Sequence, residues 1–222
     1  MNAPAAVLFD LDGTLIDTAP DMAGAVNDML TSRERPELPF APLRTRVSHG
    51  SRALVDFAFE PQNEDDTQRY IREFLAVYEQ RVSRSSNLFE GMAPFLATLE
   101  ARGVHWGVVT NKPGGLSHSL LTDLRLLERM GVHIAGDTLA QRKPHPMPLL
   151  HAAKHIGVPA NRCIYVGDAE RDIVAGRSAG MTTIAAGYGY ILEDDCASRW
   201  GADFLVDSVA QLHQQVDRLL AA

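Results

Sequence analysis

Two aspartates, Asp10 and Asp12, stand one residue apart directly after a short apolar run, Ala5 to Phe9. Such a run fits a central parallel strand buried on both faces, and the carboxyl end of such a strand is where open α/β sheets place ligands. Gly13 permits a sharp turn after Asp12, leaving both carboxylates facing one crevice. Paired carboxylates in that place suit phosphoryl transfer. Phosphate monoesters hydrolyse very slowly unaided, so a catalyst needs a nucleophile, an acid for the leaving oxygen and positive charge at the transferring oxygens.

Residues further along meet those needs. Thr110 ends an apolar strand, 104–110, just before a helix expected to begin at Pro113, so its hydroxyl and the adjoining amide of Asn111 would meet a phosphate near a helix amino terminus. Only three lysines occur against eighteen arginines. Where arginine supplies nearly all the positive charge, Lys143, beside Pro144, stands out as a point charge for phosphate. Lys112 and Lys154 read as solvated surface residues. Asp168 follows a strand over 162–166 and is placed to cap the next helix, with Asp172 one helical turn beyond. Acids gathered beside a dianionic phosphate repel it unless a cation intervenes, and all-oxygen ligands select a hard ion such as Mg²⁺.

The elements that position these groups alternate from about Gly91 onward. Strands are expected over 104–110, 133–135, 162–166, 182–186 and 204–206, and helices over 114–127, 146–157, 170–179 and 209–220. That alternation predicts an α/β fold with a doubly wound, Rossmann-like parallel sheet. Residues 17–89 differ, being rich in helical spacing and poor in strand signals, as in Ala23, Val26, Asn27, Leu30 and in Tyr70, Phe74, Val77, Tyr78. They predict an inserted α-helical cap domain whose apolar stripes form its core, with a core domain of residues 1–16 and 90–222. Ser83 to Asn87 reads as a hinge between the two.

Four motifs in order carry a resemblance: Asp10-Leu-Asp12-Gly13-Thr14, Trp106-Gly-Val-Val-Thr110-Asn111, Lys143-Pro144, and Gly167-Asp168 followed by Asp172. Together they resemble the signatures of the haloacid dehalogenase superfamily of phosphatases and span about four fifths of the chain. The resemblance implies that Asp10 is the nucleophile, forming an aspartyl-phosphate. Asp12 protonates the leaving oxygen and then deprotonates the water. Mg²⁺ is held by Asp10, Asp168, the carbonyl of Asp12 and, directly or through other ligands, Asp172. A cap of this kind opens and closes over the site. Within the cap, the turn Val47-Ser-His-Gly50-Ser-Arg52 resembles the substrate-selecting loop of phosphoglycolate phosphatases and of N-acetylmuramate 6-phosphate phosphatases. The longer segments Leu88 to Met92, Trp106 to Pro113 and Tyr188-Gly-Tyr190 look closer to the latter. Arg52 is the candidate reader of a substrate carboxylate, since its fork matches one.

A formal charge of −7 argues against nucleic acid and anionic membrane surfaces as partners, so an anionic metabolite needs a local positive site. No transmembrane-length apolar run or signal segment is evident, which predicts a cytoplasmic protein, monomeric or homodimeric. Cys163 and Cys196 are too few for a disulfide framework, and Cys163 reads as a small buried hydrophobe. Among related chemistries, phosphonate hydrolysis through a cap lysine is excluded, because no lysine precedes Lys112. Other sugar phosphates, a sugar phosphomutase, and a non-catalytic regulator binding a phosphorylated metabolite are the alternatives.

Overall fold

In the first strand, β1 (Ala6–Phe9), Val7 and Phe9 join one apolar cluster, and Ala6 and Leu8 join another. Both faces of the strand are therefore covered, which is why its sequence is apolar without alternation. The computed structural model describes residues 3–221; residues 1, 2 and 222 of the expected core segments lie outside that range.

The chain continues through β2 (Ile16–Asp17), α1 (Ala19–Thr31), α2 (Phe40–Arg44), α3 (Gly50–Phe59), α4 (Glu64–Glu79) and β3 (Asn87–Leu88). It then alternates: α5 (Met92–Ala101), β4 (His105–Val109), α6 (Gly114–Asp123), β5 (Val132–Ile134), α7 (Met147–His155), β6 (Cys163–Gly167), α8 (Glu170–Ser178), β7 (Thr182–Ala186), β8 (Phe204–Val206) and α9 (Val209–Ala221). Six strands form one parallel sheet in the order β5-β4-β1-β6-β7-β8. The chain runs outward from β1 to β4 and β5, then returns to β6 on the other side. This reversal opens a crevice at the carboxyl ends of β1, β4 and β6.

Helices α1 to α4 leave and rejoin the sheet layer through a two-stranded antiparallel ribbon in which Ile16 faces Leu88 and Asp17 faces Asn87. Asn63 caps α4 by accepting the Asp66 amide at 2.9 Å, and three acids fill the helix's first turn, where the helix dipole favours them. Phe59 stacks on Tyr70 and Phe74 on Tyr78. Leu11, Leu15 and Ile16, all fully buried, make one continuous core with these helices and with Phe9. Burial of each contributes about 1.5–3 kcal/mol, enough to fix the turn that carries Asp12.

Several boundaries differ from the sequence expectation, among them both ends of α6. α6 ends at Asp123 because Arg125 takes a left-handed φ of 55°, which breaks the helical path before Leu127. α3 begins at Gly50 after a 3₁₀ turn over Val47–His49, so the end of the Val47 to Arg52 segment read as a turn is helical. Pro113 precedes α6 as its cap residue and is not its first helical residue.

Candidate active site

Asp10 extends the β1 ladder by donating its amide to the Val166 carbonyl at 2.8 Å. Its buried carboxylate accepts the Leu11 amide at 2.7 Å and lies 2.9 Å from Lys143 Nζ. Burial alone would raise its pKa; Lys143, Arg171 and the Leu11 amide outweigh that and hold it below the ordinary carboxylate value. Gly13, with φ of 81°, turns the chain so closely past Asp168 that a Cβ there would overlap its carboxylate.

Asp12 faces the other side of the turn. Its Oδ1 accepts Thr18 Oγ1 at 2.7 Å and Lys112 Nζ at 3.0 Å. Lys112 is therefore not the solvated residue expected from its place in a turn; it is buried and also donates to Tyr78 Oη of α4 at 2.9 Å. Burial opposes its charge, yet Asp12 and Tyr78 more than compensate, raising its pKa. Burial pushes the Tyr78 phenol up to about 12 despite the neighbouring lysine, so the hydroxyl keeps its proton. Lys154 is exposed, as expected.

Lys143 is enclosed by Asp10, by Asp172 Oδ1 at 2.7 Å, by the Val109 carbonyl at 2.9 Å and by Tyr165 Oη at 2.8 Å. Asn111 holds it there: its side chain donates to the Lys143 carbonyl at 2.9 Å and accepts the Lys143 amide at 3.1 Å. The Asn111 side chain is thus engaged with Lys143. Thr110 Oγ1 accepts the Lys112 amide at 3.1 Å.

Asp10, Asp168 and Asp172 form a buried cluster with carboxylate oxygens within 4.8 Å of one another. Burial and the charges of Asp10 and Asp172 push Asp168 up to about 7, and burial likewise raises Asp172. Three crowded acids in this condition, with oxygen donors only, fit a hard divalent cation. Of the Asp12 carboxylate, Oδ1 is taken by Lys112 and Thr18, and the side chain is not part of this cluster. Asp168 does not cap α8; Ala169 is the cap residue, and Asp172 Oδ2 accepts its amide at 3.1 Å. Asp168 accepts Ser48 Oγ at 2.6 Å and the Tyr190 amide at 2.9 Å.

A cleft of about 520 Å³ lies over these groups, lined by Asp10, Asp12, Thr110, Lys112, Lys143 and Arg171 and roofed by the turn from Val47 to Arg52. Gly50, with φ of 82°, shapes that turn. Arg52 is half exposed on the wall, its fork closed on Glu64 at 2.9 and 2.7 Å. Sequence reasoning missed Ser48, Arg171, Tyr78 and Tyr190. Arg171, which donates to the Ser48 carbonyl at 2.5 Å, lies between two acids of a motif already singled out, a signal that was available. Ser48 lies in the turn already read as a substrate-selecting loop, whereas Tyr78 and Tyr190 reach the site only through the tertiary fold.

A parallel sheet that gathers paired carboxylates, a hydroxyl, lysines and further acids at its strand ends defines a hydrolase of phosphate esters. The family model for haloacid dehalogenase-like hydrolases matches residues 7–186. Phosphoglycolate phosphatase of Xanthomonas campestris pv. campestris is 50% identical over 212 residues, covering 96% of each chain. N-acetylmuramic acid 6-phosphate phosphatase of Pseudomonas putida is 42% identical over 216 residues, covering 97% of each. A crystal structure of a predicted phosphoglycolate phosphatase from Haemophilus somnus 129PT superposes with TM-score 0.84 at 28% identity, covering 97% of this chain and 99% of that one. The chain belongs to the haloacid dehalogenase-like hydrolase family and is a phosphatase of that family. No helix among the described residues is long and apolar enough to cross a membrane.

Proposed function

We propose that this protein is a cytoplasmic, Mg²⁺-dependent phosphomonoester hydrolase, monomeric or homodimeric, acting on a small carboxylate-bearing ester such as 2-phosphoglycolate or N-acetylmuramate 6-phosphate. The observation that carries the reading is Asp10, buried, held ionised by Lys143 and open to the cleft, with Asp12 two residues on. Asp10 attacks phosphorus, and the leaving oxygen takes a proton from Asp12 as its bond to phosphorus breaks. Asp12, now ionised, takes a proton from water, which hydrolyses the aspartyl-phosphate and releases inorganic phosphate. Thr110, the Asn111 amide and Lys143 hold the phosphate oxygens, the last as a point charge. Mg²⁺ held by Asp10, Asp168, Asp172 and the Asp12 carbonyl would neutralise charge on the transferring group.

Residues 1–16 and 90–222 form the catalytic core in this reading, and residues 17–89 the cap that admits substrate through the turn at Gly50. Arg52 reads the substrate carboxylate. Its fork is closed on Glu64 in this conformation, so a substrate carboxylate takes the place of Glu64 at the cleft wall. The test compares kcat/KM for 2-phosphoglycolate, N-acetylmuramate 6-phosphate, glucose 6-phosphate and pyrophosphate. The two carboxylate-bearing esters should lead, and Arg52→Ala should lower both by roughly tenfold, the scale of one lost charge-assisted contact, while an aryl ester changes less. Equal losses on every substrate would remove Arg52 as the carboxylate reader.

A further inference from the structure

The two donors that reach the Asp12 carboxylate fall on the same oxygen. Thr18 Oγ1 and Lys112 Nζ both bond Oδ1, and none of the hydrogen bonds among the described residues reaches Oδ2. The Asp12 side chain is largely but not wholly covered, 15% exposed, and it lines the cleft. One oxygen is anchored and the other accepts no hydrogen bond from the described residues. An oxygen that already accepts two donors, one of them cationic, is a poor place for a proton, so the transferable proton belongs on Oδ2.

Lys112 is itself located by the helical layer. Its Nζ donates to Tyr78 Oη of α4 at 2.9 Å and lies 4.4 Å from the centre of that ring. Tyr78 is buried and stacked on Phe74. The path from α4 to the reacting proton is therefore short: Tyr78, Lys112, Asp12.

We infer that Lys112, held by Tyr78, is a positioning residue for Asp12: it fixes Oδ1 so that Oδ2 faces the leaving oxygen, and it does so only when α4 packs over the site. This rests on the reading of Asp12 as proton donor. In the first step the phosphorus–oxygen bond to the leaving group breaks, its electron pair stays on that oxygen, and the proton on Oδ2 moves there. The carboxylate left behind faces the Lys112 ammonium at Oδ1. In the second step water gives a proton to Oδ2 and its oxygen to phosphorus, and the acyl-phosphate bond to Asp10 breaks. Lys112 gains and loses no proton in either step.

A residue that positions the acid matters most where the leaving oxygen needs a proton. The test compares kcat/KM, which reports the step up to loss of the leaving group, for the best alkyl phosphate of the wild type and for p-nitrophenyl phosphate. The nitrophenolate leaves unprotonated. Lys112→Met should lower the alkyl value about tenfold more than the aryl value, Lys112→Arg should recover part of that difference, and Tyr78→Phe should shift the same ratio about threefold. A merely structural role would lower both esters alike, and an unchanged ratio in Lys112→Met and Tyr78→Phe would overturn the inference. Should Lys112→Met fail to fold by circular dichroism, the ratio in Tyr78→Phe, which loses only a hydroxyl, decides. Asp10→Asn is assayed beside them: activity retained there on both esters would defeat the phosphatase mechanism, whereas its loss alongside an unchanged ratio defeats only the role given to Lys112.

Discussion

Lysine is scarce in this chain, and the two lysines drawn inside both sit on carboxylates: Lys143 on Asp10 and Asp172, Lys112 on Asp12. Removing one partner of such a buried pair leaves the other charge uncompensated, so these positions are held by electrostatics as much as by chemistry. Asp168 lacks a comparable cation, and burial with the nearby charges of Asp10 and Asp172 pushes it up to about 7. A divalent ion binding there displaces that proton. The apparent Mg²⁺ affinity should therefore climb roughly tenfold per pH unit from about pH 6, then level off above about pH 7, with proton uptake by the buffer visible in calorimetry. A pH-independent affinity would mean that Asp168 binds no metal. Lys143 was legible from scarcity of its residue type. The same scarcity applied to Lys112, but a Thr-Asn-Lys-Pro turn carries no sign that Tyr78, thirty-four positions earlier, closes over it.

Among the elements, the ribbon of β2 and β3 and the start of α1 join the helical layer to the sheet, and Asp21 fastens them. Its Oδ2 accepts the amides of Ser85 and Ser86 and the Ser86 hydroxyl, each at 2.8 Å. The segment that reads as a hinge from its serines is thus tied to α1 in this conformation. Asp21→Ala strands the buried Ser86 amide and hydroxyl and frees the more exposed Ser85 amide, and should cost about 2 kcal/mol or more in urea unfolding, with Asp21→Asn costing less. A loss under about 1 kcal/mol would show the tie to be incidental. The strands of the large sheet were legible because apolar runs of that length between turn residues have few other fates. A two-residue ribbon has no periodicity to read, and the end of α6 depends on the left-handed turn at Arg125, which nothing in that residue's type foretells.

On the scale of the whole molecule, a chain of net charge −7 is to bind a dianionic ester, and the contradiction is resolved locally: Lys112, Lys143 and Arg171 all line the cleft. The alternation of strand and helix from Gly91 onward and the order of the four motifs made the sheet and its acids readable in advance. The continuous core linking Phe9, Leu15 and Tyr78 was not, since it depends on how the helices dock. The mechanism requires Asp10 to carry the phosphoryl group. Intact-protein and peptide mass spectrometry after rapid acid quench tests it directly, using Asp12→Asn with p-nitrophenyl phosphate, a pair in which the first step needs no acid but the second lacks its base. One phosphoryl group, labile to hydroxylamine, is expected on the peptide containing Asp10, and none in Asp10→Asn. A phosphoryl group found on a serine, threonine or histidine, or nitrophenol release in Asp10→Asn at the wild-type rate, would contradict it.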